Sequence, residues 1–342
     1  MNQYPELYLL MPKHLPRTRG EIDRARTGGI DSALAVCNRI SPFMADEEAL
    51  ACVQEALRIM STETVFVAEA LGPNEHRDEH DAYCHIFRMS GDPVRGLLQG
   101  LLQGYSSLLR DALESGSSLN AQEWYRLRTA FSAMFRYMSR DVAPLGGDTL
   151  KGDFTVIPRK LNEKLDPMRR WLLGHHVFMV VIQGMVVAFN CFGDAMKAGD
   201  HREAEAALEL ATVLMWGSAS ALRFTGDFKP AEYESVVRPS MMPPSAPSEL
   251  SGLMSIDHQC LVSTLTDLKP VFKGLEGELK NRQHLLTQAF TAAYEAHKYV
   301  CSRFVGDERP SLKMGEQAKK SGLTVLGHFQ NSRVRLVSPV GS

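Results

Sequence analysis

An all-α fold follows from three features of the sequence: long stretches with apolar residues at helical spacing, cap residues where those stretches begin, and glycine or proline where they end. The chain has 342 residues, 44% of them hydrophobic, which suffices for the core of a single large helical domain spanning 1–342. Residues 1–45 carry prolines and an RTGG turn and read as an irregular arm wrapped on that core. A helix is expected from Asp46 to the Gly72-Pro73 break. Asp92 followed by Pro93 opens the next, which ends near Gly116. Asn120 with Glu123 has the spacing of a capping box for a helix reaching about Arg140. Pro144 to Pro158, with Gly146, Gly147 and Gly152, reads as a loop. Asp166-Pro167 starts a long helix that ends at Ala198 before Gly199, and Asp200 with Glu203 caps another that ends near Gly226. Pro230, Pro239, Pro243, Pro244 and Pro247 then exclude a long helix, leaving an ordered loop with one short helical turn. Two more helices follow, divided near Pro270. Beyond Gly306 the tail, 306–342, holds one polar helix and a Val334–Val337 stretch suited to a strand.

Charge and composition narrow the function classes. A net charge of −2 offers no polyanion-binding surface, so nucleic acid is not an expected partner. The N-terminal apolar run is too short for a secretory signal and lacks preceding basic residues. The longest apolar stretch, Val177–Phe192, contains Gln183 and Asn190 and falls short of the roughly 20 residues that span a bilayer. The expectation is a cytoplasmic protein without a membrane segment, whose six cysteines are reduced thiols apart from Cys301. Neither a dinucleotide fingerprint, a phosphate loop nor a nucleophile elbow is present.

Chemistry concentrates late in the chain. In Ala292–Phe304, AAYEAHKYVCSRF, His297 and Cys301 stand four residues apart, hence on one helix face with Cβ atoms about 5–6 Å apart. That geometry suits an imidazole on a haem iron with a thiol reaching a vinyl group at the macrocycle edge; it also occurs in ordinary cores, where free cysteine is common. His258 has a comparable setting, sharing a face with Leu250, Met254, Leu261 and Leu265, while His297 shares one with Leu286, Phe290, Ala293 and Phe304. Two inward histidines on consecutive helices suit the two sides of a flat apolar cofactor.

His258, thirty-eight intervening residues, then His297-Lys298-Tyr299-Val300-Cys301 resembles the H-x(n)-H-x-x-x-C signature found among histidine-ligated haem-dependent aromatic oxygenases, a superfamily related in fold to tryptophan 2,3-dioxygenase. Chain length, helical pattern and the WLLGHHVF stretch agree. The resemblance implies a haem ligated by His258 and His297 and attached covalently through one thioether to Cys301, by a self-catalysed reaction. It further implies a peroxygenase that uses hydrogen peroxide to hydroxylate an aromatic amino acid, 3-methyl-L-tyrosine, to 3-hydroxy-5-methyl-L-tyrosine in tetrahydroisoquinoline alkaloid biosynthesis. A bis-histidine iron has no vacant position, so one ligand must leave. His258, after the proline-rich loop, is the expected labile ligand and acid–base group, because Cys301 tethers the haem beside His297.

Other residues are weighed against bland roles. One of His175 and His176 is expected to meet a substrate phenol while the other is a satisfied core histidine. Arg223 and Arg238 flank the proline-rich loop and are candidates for the substrate carboxylate or haem propionates. Trp216, Phe224, Phe228 and Tyr233 are candidates for an aromatic pocket, against the commoner role of core packing. His76, His80, Cys84 and His85 have spacings compatible with zinc, but their charged surroundings favour a solvated surface. The competing function classes are a bis-histidine electron carrier and a ring-cleaving dioxygenase; a homodimer is the candidate assembly.

Overall fold

Caps and breakers set most of the helix boundaries. The computed structural model describes residues 4–61, 67–68, 75–140, 156–246, 255–306 and 322–339. In chain order these form β1 (Leu7–Leu10), a 3-10 turn (Pro12–His14), α1 (Arg19–Ala25), α2 (Gly29–Cys37), α3 (Asp46–Ser61), β2 (Val67–Ala68), α4 (Glu75–Tyr83) and β3 (Ile86–Ser90). Then come α5 (Pro93–Ser115), α6 (Ala121–Ser139), α7 (Pro167–Ala198), α8 (His201–Thr225), α9 (Pro230–Glu232), a π turn (Tyr233–Val237), α10 (Arg238–Ser240), α11 (Ile256–Lys273), α12 (Gly277–Val305) and α13 (Gly322–Val337). The carboxylates of Asp92, Asp166 and Asp200 accept backbone N–H groups at the starts of α5, α7 and α8, and Asn120 with Glu123 makes the expected capping box on α6.

α7 is the axis of the core. It packs along α8 and against α5 and α11, and its most apolar 18-residue window is 89% buried within the protein, so its hydrophobicity serves packing. α8 is covered in turn by α6 and α12, and α13 closes over α11 and α12. Where α7 crosses α8, a Cβ on Gly174 would stand 2.4 Å from Thr225, so only glycine permits this approach. The neighbouring His175 and His176 are thereby held at the depth of the α7–α8 contact.

Several sequence expectations give way. Within the 1–45 segment the described residues, from 4 onward, are structured: β1 pairs in parallel with β3, from Leu7 opposite Ile86 to Leu10 opposite Met89, and Leu7, Leu9, Ile22, Ile30 and Leu34 are core residues. A short strand depends on its distant partner, which no local pattern displays. β2 joins β3 antiparallel, giving a three-stranded sheet of order β1-β3-β2. α3 stops at Ser61, well before Gly72-Pro73. The Pro144–Pro158 loop lies mostly outside the described residues. Pro270 sits inside α11, one turn from its end, and the chain breaks only after Lys273. Val334–Val337 is helical, with Val337 fully buried and its carbonyl accepting from Gln283 Nε2 at 2.8 Å.

Two buried ion networks join elements distant in sequence. Arg170 on α7 donates to Asp111 of α5 at 2.6 Å, to Asp227 after α8 at 3.0 Å and to the Gly116 carbonyl at 2.7 Å. Arg88 on β3 is bidentate to Asp81 of α4 and bidentate to Asp257 of α11. Gln183 of α7 adds a donor to Asp257 at 2.8 Å. Removing one partner from such a network leaves an uncompensated buried charge. Asp227→Ala is therefore expected to lower the unfolding free energy by about 3–5 kcal/mol, measured by urea titration at pH 7; a loss near zero would show the network to be energetically neutral.

Candidate functional site

α11 and α12 bring His258 and His297 to one region, as the spacing implied, but the local frame differs from the expected one. α11 begins at Ile256, so His258 lies in its first turn, and Leu250 and Met254 fall outside the described residues. Ser255 caps the helix by accepting the His258 N–H at 3.4 Å, and the adjacent Asp257 is the carboxylate held by Arg88 and Gln183. His297 lies deep in α12 on the face of Ala293, Ala296 and Phe304, with Cys301 one turn further on.

The third histidine of this region comes from α7. His175 Nδ1 lies 2.7 Å from the Trp171 carbonyl, which can only accept, so Nδ1 carries the proton and Nε2 is left with its lone pair. Its ring packs edge-on against Trp171 at 4.5 Å. From Trp171 an aromatic wall continues through Tyr233 at 6.0 Å and Phe228 at 6.5 Å, and Phe304 stacks on both at 4.5 and 5.0 Å. Tyr233 opens the π turn, a backbone irregularity often found at functional sites. Arg303 on α12 fastens this wall by donating to the Phe228 carbonyl at 2.9 Å.

Electrostatics keep these groups neutral. Burial lowers the pKa of His297 to about 4; burial, Arg333 and His297 together lower His258 to about 4; burial outweighs the Trp171 hydrogen bond and lowers His175 to about 4, with His297 among the further causes. All three are neutral at pH 7, the state in which an imidazole nitrogen can bind a metal. His175 and His297 are half-buried. Burial also pushes the Cys301 thiol up to about 11, so it is protonated, and Cys301 is close enough to contribute to raising Tyr233 to about 12, chiefly a burial effect. No hydrogen bond among the described residues uses the His258 or His297 ring. Two neutral, inward imidazoles with a thiol on the same helix and an apolar aromatic wall fit the donor set that the sequence implies for a haem.

The remaining candidates divide. His176 is a satisfied core histidine, paired through Nε2 with the Cys84 carbonyl. Arg223 lies over the Tyr299 ring at 3.5 Å and pairs with Glu123 at 3.5 Å, away from the three histidines. Arg238 stands beside Tyr233, pairs with Glu234 at 3.6 Å, and its Nη1 is buried without a hydrogen-bond partner. Phe228 and Tyr233 join the wall; Trp216 and Phe224 instead carry the guanidiniums of Arg126 and Arg170. The His80–Cys84 segment is no solvated surface: both residues are buried, and Asp81 between them binds Arg88. Among the described residues no group of three metal-ligating side chains converges; the side chain of His76 lies outside them.

Comparison with known proteins identifies the family. A family profile described as SfmD 3-methyl-L-tyrosine peroxygenase matches residues 8–289, a span that includes His175 and His258. The chain belongs to the SfmD peroxygenase family. A 3-methyl-L-tyrosine peroxygenase from Streptomyces lavendulae is 30% identical over 325 residues, covering 94% of this chain and 88% of that protein. A crystal structure of reduced SfmD, obtained by soaking with sodium hydrosulfite, aligns with a TM-score of 0.70 at 27% identity over 86% of this chain and 97% of that one. Within this SfmD-family fold, sequence reasoning passed over Trp171, although its position one turn before His175 was a usable signal. It also passed over Asp257, a lone carboxylate in an apolar run, and Arg333, for which the tail gave no signal.

Because His175, His176, His258 and His297 are all held near 4 against an ordinary value of about 6.5, the unfolded chain binds more protons between those pH values. Stability then falls as pH falls through that window, by about 1.4 kcal/mol per histidine and pKa unit. Urea midpoints of the cofactor-free protein are expected to drop from pH 6.5 to pH 4; a flat profile would contradict the burial of these imidazoles.

Proposed function

We propose that this protein is a haem-dependent peroxygenase that hydroxylates 3-methyl-L-tyrosine, giving 3-hydroxy-5-methyl-L-tyrosine, with hydrogen peroxide supplying the oxygen and water as the second product. The observation that carries this reading is the convergence of two neutral, half-buried imidazoles, His258 and His297, with Cys301 one turn beyond the latter, in a chain of the peroxygenase family.

His297 and His258 are the residues that would hold the iron, and Cys301 the one that forms a single thioether. Haem bound there supplies the oxidising power that peroxide delivers to an electron-rich ring. His297 is fixed within a long packed helix, whereas His258 sits in a helix's first turn; this supports His258 as the ligand that yields. Released and neutral, its imidazole is a proton acceptor suited to the incoming peroxide. His175, with its proton committed to Trp171, presents Nε2 as an acceptor for the substrate's phenolic hydrogen. Trp171, Tyr233, Phe228 and Phe304 exclude water around the ring, and Arg238, whose Nη1 stands 3.6 Å from Glu234, is a donor for a carboxylate at that end. Burial keeps the Cys301 thiol neutral, so thioether formation depends on activation in place rather than on a resident thiolate.

Intact mass and optical spectrum of the haem-loaded, then denatured, protein test this reading. The expected result is a mass increase of one haem with a low-spin ferric spectrum. Cys301→Ser should leave the haem extractable by acid–acetone while still bound in the native protein, and His297→Ala should abolish stable loading. With peroxide and 3-methyl-L-tyrosine the product should gain one oxygen with its ring intact; a ring-opened product would point to a dioxygenase. A loaded and active His297→Ala variant would overturn the assignment.

A further inference from the structure

α13 brings an arginine close to His258. Arg333 is half-buried; its Nε is fully buried and has no hydrogen-bond partner among the described residues. The guanidinium is within hydrogen-bond reach of the Tyr294 hydroxyl on α12, and it is close enough to His258 to disfavour a charge there. No carboxylate forms an ion pair with it among the described residues. Position is not left to a loose tail: α13 packs on α11 and α12, Val337 is fully buried, Gln283 donates to its carbonyl, and Lys298 of α12 donates to Gln330 at 2.5 Å.

Other arginines with an unpaired buried nitrogen already have company. Arg126 lies over the Trp216 ring at 4.0 Å, and Arg282 pairs with Glu205, Glu209 and Glu278. Among the described residues Arg333 faces the Tyr294 phenol and the neutral His258 imidazole. A buried guanidinium nitrogen without a partner is costly, and the planar fork that carries it matches a carboxylate better than any other common group.

We propose that Arg333, with Tyr294 beside it, forms a carboxylate-binding subsite of the histidine pocket. The proposal rests on reading His258 and His297 as the cofactor site. Two carboxylates can reach such a subsite: a propionate of the haem, or the α-carboxylate of the amino acid. The chemistry of recognition is the same, and the source is settled by experiment.

Haemin and haemin dimethyl ester would be titrated into cofactor-free wild type, Arg333→Gln and Arg333→Lys. 3-Methyl-L-tyrosine and its decarboxylated amine would then be titrated into the loaded proteins, with binding read from the optical spectrum and folding from thermal melts. If the subsite takes a propionate, Arg333→Gln weakens haemin about tenfold to a hundredfold, leaves the ester unchanged and does not alter amino-acid binding. If it takes the substrate, the same loss appears for 3-methyl-L-tyrosine and not for the amine, while haemin is unaffected. Arg333→Lys, which keeps the charge, should recover part of either loss, and this separates the role from a folding defect. Wild-type affinity of Arg333→Gln for both carboxylates overturns the proposal while leaving the cofactor reading intact. Failure of wild type to take up haemin overturns that reading and the proposal with it.

Discussion

The pairing of Arg88 with Asp257 is the constraint on which the site depends. The two residues are 169 positions apart and essentially without solvent contact, and their pairing ties β3 to the first turn of α11. Asp81 balances Arg88 from α4, and Gln183 reaches the same carboxylate from the middle of α7 while also holding the Leu10 carbonyl of β1. The small sheet at the N-terminal end is therefore part of the machinery that places His258. Burial disfavours the charged form of His80, while Cys84 at 4.0 Å and Asp81 at 3.5 Å raise its pKa.

Around this anchor the fold assembles groups of low polarity. α7 contributes Trp171 and His175 on one face and the satisfied His176 on another, so adjacent histidines serve different ends: one closes a hydrogen bond to Cys84, the other keeps an acceptor nitrogen toward the interior. The irregular stretch between α8 and α11 matters for the same reason. Prolines prevent a straight helix there, and the chain folds back so that Phe228 and Tyr233 stack on Phe304 beside Cys301. A Cβ on Gly226 would stand 2.9 Å from Val300, so α12 comes as close to this turn as backbone permits.

What the sequence made legible was local. The caps at Asp92, Asn120, Asp166 and Asp200 act within one turn, and each marks its helix in the structure as it did in the sequence. The His297–Cys301 spacing is also local and survives. Non-local features were hidden: β1 owes its existence to β3, and the charged NEHRDEHDAYCHIF segment looked solvated because its partners, His176 on the Cys84 carbonyl and Ser240 on the Tyr83 hydroxyl, lie far along the chain. Arg223 and Arg238 flank the same loop, yet helix phase sends the first onto Tyr299 and only the second toward Tyr233. Val334–Val337 has the β-branched content of a strand, but Val337 is buried by the same face that packs α13 on its neighbours.

The two histidines are held in unequal ways, and the inequality is written in their helices. Backbone hydrogen bonds run on both sides of His297 in α12, which is clamped at its far end by Arg303 on the Gly226 and Phe228 carbonyls. His258 has helix on one side only; its N–H is taken by Ser255, and its position derives from the neighbouring Asp257. First-turn residues open at lower cost than helix interiors, because fewer intrahelical bonds must break. A side chain placed there can move and return without unfolding the helix that carries it, while the ion network beneath keeps the turn from drifting.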